Sequence, residues 1–306
     1  MVGETGTRHV IVVTGAPGSG AIASSVRSAV ADAARTDLVT LADGDAVEAQ
    51  FAATDAEATR LVARLRADLK APVDINLVPA AGRRKHLLVA DMDSTIIRQE
   101  CIDEMADLFG LKAKISAITE RAMRGELDFE AALTERLGLL AGLDEAGLET
   151  VWTERIQLMP GASTLIATMR ANGAYTALVS GGFTFFTRKV ATAVGFDANR
   201  ANQLEFADGR LTGRVLGPIL GREAKRAALV EFAGQRGLPL SATLAVGDGA
   251  NDLDMVRAAG LGVAYRAKPK VAAEAAASIT HGDLTALLHL QGYATTDFVA
   301  GEASNG

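Results

Sequence analysis

The run His86-Leu-Leu-Val-Ala90 stops at Asp91-Met-Asp-Ser-Thr95. An apolar strand that ends in paired acids constrains this chain more than any other stretch. Beyond the carboxyl ends of the strands of an open α/β sheet is where such a fold binds ligands. After a long helical stretch, from Ile97 to about Ile156, Pro160-Gly161 breaks the pattern. Strands and helices then alternate: Tyr175 to Val179, Phe183 to Val194, Thr243 to Val246, Asn251 to Ala259, and Leu261 to Ala264. That alternation predicts a doubly wound parallel sheet. Gln203 to Val215, centred on Asp208-Gly209, reads as a β-hairpin on this frame.

The first eighty residues have a different grammar. Strands are predicted at 9–13, 38–41, 46–52 and 73–78, with helices from Ala21 to Ala34 and Asp55 to Leu69. The order βαββαβ predicts a ferredoxin-like α+β unit with both helices on one sheet face. The cluster Ala81-Gly-Arg-Arg-Lys85 marks the boundary. The expected organisation is therefore an α+β domain over 1–82 and an α/β domain over 83–292. The latter carries a helical cap at about 97–158, and a flexible tail follows over 293–306. Within the first unit, Gly15-Ala-Pro-Gly-Ser-Gly-Ala-Ile22 keeps the glycine spacing of a P-loop. Ala21 and Ile22 stand where that motif needs Lys and Ser or Thr, so nucleotide binding is not expected there.

Composition narrows the partners. The net charge is −6, without a long Lys/Arg cluster, which argues against nucleic acid. No apolar run approaches the roughly 18–20 residues of a membrane span. The first residues lack the blocks of a signal peptide, and a single cysteine, Cys101, excludes a disulfide framework. A cytoplasmic location is expected. A negative protein that takes a negative substrate needs a local positive centre, such as a metal ion.

Four segments carry the parts that phosphoryl transfer requires. Asp91 can act as a carboxylate nucleophile, and Asp93 can give and later take a proton. Val179-Ser-Gly-Gly182 ends the next strand with a hydroxyl and two glycines that let backbone amides approach an anion. Lys225, in Gly221-Arg-Glu-Ala-Lys-Arg226, can neutralise a phosphate oxygen. Gly247-Asp-Gly-Ala-Asn-Asp252 gathers oxygen donors of the kind that hold Mg²⁺. In isolation each has a bland reading as a turn, cap or surface charge.

Together they resemble the four ordered motifs of the haloacid dehalogenase superfamily and, within it, the phosphoserine phosphatase family, over roughly 84–290. The resemblance implies a doubly wound HAD-like sheet with a helical cap. It implies Mg²⁺-dependent hydrolysis of O-phospho-L-serine to L-serine and phosphate through an aspartyl-phosphate, the last step of serine biosynthesis. Asp91 would be the nucleophile and Asp93 the acid/base. Asp91, Asp248 and the backbone carbonyl of Asp93 would hold the metal, with Asp252 supporting it. Ser180, Gly181, Lys225 and Asn251 would bind phosphate. In the cap, Glu100 would meet the substrate ammonium and Arg136 its carboxylate, while Met123 and Phe129 would close over it. Spacing alone leaves Glu100 and Arg136 as helix-surface charges, and Asp103 and Glu104 as solvated ones. The same chemistry with another small phosphorylated acceptor, or transfer of the phosphoryl group to an alcohol such as homoserine, stays open. A silent regulatory protein is disfavoured, since Asp91, Asp93, Lys225 and Asp248 are all present. The first unit resembles an ACT-type domain. That likeness implies a regulatory or dimerisation role, with L-serine as effector and a homodimer as the assembly.

Overall fold

The computed structural model describes residues 6–123 and 126–301, apart from the side chain of Met123. Its first unit runs β1 (Thr7–Thr14), α1 (Ser24–Ala34), β2 (Val39–Ala42), β3 (Ala46–Ala53), α2 (Asp55–Asp68) and β4 (Asp74–Pro79). The sheet order is β2-β3-β1-β4, with β1 antiparallel to both β3 and β4. This is the ferredoxin-like order that the element sequence predicts. Successive β1 side chains point to opposite faces. Ile11 and Val13 pack with Val26, Val30, Val62 and Leu65 of the two helices. Val10 and Val12 join the core of the second unit. Both faces are covered, which is why this antiparallel strand reads as an unbroken apolar run.

α1 starts at Ser24, three residues later than expected. Gly18 and Gly20 take positive φ, and the amide of Ile22 donates to the carbonyl of Gly44 (2.9 Å), holding the chain in a loop. In this loop the amides of Gly18 and Gly20 donate to the carboxylate of Asp45 at 2.5 and 2.9 Å. An internal carboxylate thus takes the donors that a P-loop offers to phosphate.

The second unit contains β5 (Leu87–Ala90), α3 (Cys101–Leu108), α4 (Lys112–Met123), α5 (Phe129–Leu139), α6 (Glu145–Arg155), α7 (Ala162–Ala171), β6 (Tyr175–Phe183) and α8 (Thr184–Val194). It continues with β7 (Ala198–Ala207), β8 (Arg210–Leu216), α9 (Arg222–Gln235), β9 (Thr243–Gly247), α10 (Leu253–Ala258), β10 (Leu261–Tyr265), α11 (Pro269–Glu274), β11 (Ala277–Ile279) and α12 (Ala286–Leu290). Its sheet has the order β11-β10-β9-β5-β6-β7-β8, parallel except for the β7–β8 hairpin. β5 and β9 are adjacent at the centre and entirely buried, so both acid-bearing loops leave the same edge side by side. At the hairpin turn Asp208 (φ 50°) and Gly209 (φ 74°) both lie in the left-handed region, the backbone that Asp-Gly favours.

The helical stretch after Asp91 resolves into the four helices α3 to α6, which form the cap. Its two connections run side by side. Ile97 bridges Leu158, the amide of Arg98 donates to the carbonyl of Gln157 (2.9 Å), and that of Met159 to Ile96 (2.8 Å). The C-terminal segment differs from the expected loose tail. Tyr293 is buried, Phe298 packs on the main core, and the amide of Val299 donates to the Thr168 hydroxyl at 2.9 Å. Aromatic burial holds this stretch down, and residues 302–306 lie outside the described part. Among the described residues no helix is long and apolar enough to cross a membrane.

Candidate active site

The loop after β5 turns tightly. The amides of Thr95, Ile96 and Ile97 all donate to the Met92 carbonyl (2.8–3.2 Å). Ser94 adopts φ 54°, an uncommon left-handed conformation for a residue with a side chain, of the kind that clusters at functional sites. This turn sends Asp91 and Asp93 into one cleft of about 550 Å³. Each oxygen of Asp93 is fixed: the Cys101 amide donates to Oδ1 (2.9 Å) and the Ser180 hydroxyl to Oδ2 (3.0 Å). The amide of Gly182 in turn donates to Ser180 Oγ at 2.8 Å. A Cβ at Gly182 would stand 2.9 Å from Asp93 Oδ2, so the close approach of this loop requires glycine. Asn202 pins the loop from β7, donating to the Gly181 carbonyl at 2.7 Å.

Behind Asp91 the charges are concentrated. The ammonium of Lys225 donates to Asp91 Oδ1 (2.6 Å) and Asp252 Oδ1 (2.7 Å), and its side chain is 1% exposed. Burial works against that charge, but Asp252 and Asp91 outweigh it and raise the Lys225 pKa. Burial, then repulsion from Asp252, holds Asp91 well above the usual carboxylate range, with Lys225 opposing. The same two causes bring Asp248 up to about 6. Asp91, Asp248 and Asp252 offer oxygens that all lie within 4.8 Å of one another. One ammonium cannot neutralise three carboxylates. Among the described residues the cluster holds only hard oxygen donors, without His or Cys, and so fits a divalent cation of the Mg²⁺ type.

The cap supplies the opposite wall. Glu100 precedes α3 and accepts from the Ser94 hydroxyl at 2.6 Å. Although Glu100 is exposed at the mouth, desolvation by the cleft walls and then repulsion from Asp93 raise its pKa to about 8. Arg136, on α5, is half-buried in the cleft. Burial lowers its pKa, while Asp103 and Glu100 oppose that shift. The ring of Phe129 reaches down to the Ser-Gly-Gly loop, its Cζ 3.0 Å from where a Cβ on Gly181 would sit.

Nine of the residues singled out in the sequence therefore line one cleft: Asp91, Asp93, Glu100, Phe129, Arg136, Ser180, Gly181, Asp248 and Asn251. Lys225 and Asp252 stand behind it, facing Asp91. Met123 ends α4, and its side chain lies outside the described residues. The structure adds residues that sequence reasoning passed over. Asp103, read as a solvated charge, lines the cleft. Glu104 instead pairs with Arg155 at 3.3 Å. Lys268 and Lys270 line the core side, and the strand-end rule could have found them, since they follow β10 directly.

A parallel α/β sheet with a helical cap over clustered carboxylates, whose oxygen donors fit a divalent cation, is an arrangement suited to hydrolytic chemistry. Residues 88–257 match the model of the haloacid dehalogenase-like hydrolases. The chain belongs to this family. A phosphoserine phosphatase of Idiomarina loihiensis is 50% identical over 202 residues, 66% of this chain and 91% of the relative. One of Mycobacterium tuberculosis is 45% identical over 225 residues, 74% of this chain and 55% of the relative. The chain thus spans little more than half the length of the latter. Among solved structures, a HAD-family hydrolase of Salmonella enterica serovar Typhi superposes with a TM-score of 0.81 at 30% identity. It covers 92% of this chain and 98% of its own.

Proposed function

We propose that the protein is a Mg²⁺-dependent phosphoserine phosphatase that hydrolyses O-phospho-L-serine to L-serine and phosphate. The observation that carries this reading is the shared cleft of Asp91 and Asp93, with Lys225 bonded to the first (2.6 Å) and Ser180 to the second (3.0 Å). The phosphoserine phosphatases at 45–50% identity support the substrate. With Lys225 holding Oδ1, the other Asp91 oxygen attacks phosphorus and forms an aspartyl-phosphate. Asp93 passes its proton to the departing seryl oxygen. It then takes one from the water that attacks phosphorus, which releases phosphate and restores Asp91. The hydroxyl of Ser180, the amide of Gly181, Lys225 and Asn251 receive phosphate oxygens, and Lys225 also keeps Asp91 aligned and balances its charge. Asp91, Asp248 and the Asp93 carbonyl hold the metal, with Asp252 bracing the site through Lys225 and the Gly249 amide (3.0 Å). When bound, Mg²⁺ supplies positive charge that offsets the repulsion between carboxylate and phosphate.

Glu100 takes the substrate ammonium and Arg136 forks onto its carboxylate. Phe129 closes the apolar part of the cap and excludes water. The N-terminal unit, ferredoxin-like in topology, serves regulation by L-serine or pairing into a homodimer. The lone, buried Cys101 suits a reducing cytoplasm. The test is phosphate release from O-phospho-L-serine with and without Mg²⁺, in the wild type and in Arg136→Ala. The variant should lose about 2–4 kcal/mol of selectivity for phosphoserine over a phosphate ester that lacks a carboxylate. Equal losses on both esters would remove Arg136 from recognition.

A further inference from the structure

The cleft holds more carboxyl groups than basic groups. Asp91, Asp93, Glu100, Asp103 and Asp248 line it, against Arg136, Lys268 and Lys270. Lys225 is 1% exposed and bonded to two carboxylates, so it meets an anion only at the floor of the cleft and not at its mouth. Arg136 belongs to the cap wall and feels the charges of Asp103 and Glu100. Among the described lining residues, Lys268 and Lys270 are therefore the cations on the core side. The whole chain, at −6, repels a phosphate dianion.

Lys268 is the N-cap of α11 and Lys270 lies in its first turn, and this short segment is anchored. Beyond β10, Arg266 turns through φ 46° and its amide donates to the Ile279 carbonyl at 2.7 Å. Val271 is 2% exposed and packs with Leu253 and Ala264. The amides of Val271 and Ala272 donate to the Lys268 carbonyl at 2.9 and 3.0 Å. The backbone is thus held at the cleft, while both lysine side chains are exposed and make no ion pair among the described residues.

We propose that Lys268 and Lys270 form a cationic rim that draws the phosphate monoester dianion into the cleft and orients it, phosphate first, toward the core wall. The inference deepens the phosphatase reading and rests on it. Exposed charges act across roughly 8–10 Å at moderate ionic strength, so the rim works without a fixed hydrogen bond and weakens with salt. Its contribution falls on capture of the ester and leaves the chemical step alone.

The test compares the wild type, the double variant Lys268→Ala/Lys270→Ala and the double variant Lys268→Arg/Lys270→Arg. Phosphate release from O-phospho-L-serine is followed at saturating Mg²⁺ from low to high salt. In parallel, binding of inorganic phosphate is measured by calorimetry. In the alanine pair KM should rise about 3- to 10-fold at low salt, with kcat nearly constant and a flatter salt dependence of kcat/KM. The arginine pair should restore both. An unchanged salt slope, or an arginine pair that fails to restore it, overturns the rim. A wild type inactive on phosphoserine would instead defeat the functional reading. The phosphate-binding series would then judge the rim alone, and equal salt dependence in wild type and alanine pair would overturn it.

Discussion

Glu100 is exposed to solvent on one side and faces Asp93 across the cleft on the other, and its pKa is raised from 4.5 to about 8. A folded-state pKa above the unfolded value means that its contribution to stability is complete below about pH 4.5 and is lost as the pH rises through about 8. The raised value favours the protonated form of the unliganded side chain. An ammonium placed beside it favours the carboxylate, so binding of phosphoserine should expel a proton near pH 7. Calorimetry in buffers of different ionisation enthalpy should show that release in the wild type and a markedly smaller one in Glu100→Gln. Equal release would mean that Glu100 does not meet the ammonium. At this scale Asp91, Asp93, Ser180 and Asp248 were legible as candidates because their motifs sit at strand ends, whereas Lys225 stands in the first turn of α9. Asp103 and Ser94 were not. Asp103 takes its place only when the fold brings Arg136 of α5 into the same cleft, and Ser94 through a left-handed turn that no periodicity signals.

The cap is held at more than its hinge. The hairpin strand β8 docks on it: the Gly142 amide donates to the Leu211 carbonyl (2.8 Å) and the Leu211 amide to Leu143 (2.7 Å). On α8, Lys189 reaches Glu149 of α6 at 2.9 Å and lies over the Trp152 ring. Gly213 of β8 has φ 80°, and a Cβ there would come within 3.1 Å of Ala141 and Gly138. Gly213→Val therefore adds backbone strain and a clash. It should cost about 1–3 kcal/mol in urea unfolding and raise KM by displacing the cap. A variant of wild-type stability and KM would show that this docking is idle. Asp208-Gly209 announced the hairpin from local turn chemistry. Its pairing with the cap, about seventy residues away in sequence, is a long-range contact that no local pattern encodes.

Across the whole molecule, the two sheets meet edge to edge. The Asn76 side chain accepts from the Ser278 amide (2.9 Å) and donates to the Ser278 carbonyl (3.0 Å), as a peptide group would. Asp74 accepts from the amides of Thr280, His281 and Gly282 at 2.8–3.0 Å. Arg83 pairs with Glu48 at 2.7 Å, both side chains nearly buried. The sequence predicts a strand at 73–78, and Asp74 and Asn76 are polar positions within it. Their purpose is the other unit, whose loop covers an edge that would otherwise be open. Asp74→Ala leaves backbone donors without an acceptor and should lower stability by about 2–4 kcal/mol in urea unfolding. A loss below the error of that measurement would show that the two units stand independently.

The proposed chemistry turns on one covalent bond, between Asp91 and the phosphoryl group. Borohydride converts an acyl phosphate to an alcohol, so an aspartyl-phosphate trapped this way becomes homoserine. Mass spectrometry of protein reduced during turnover of O-phospho-L-serine with Mg²⁺ should find homoserine at residue 91, and none when phosphoserine is withheld. Homoserine at another carboxylate, or phosphate release at the wild-type rate by Asp91→Asn, would contradict it.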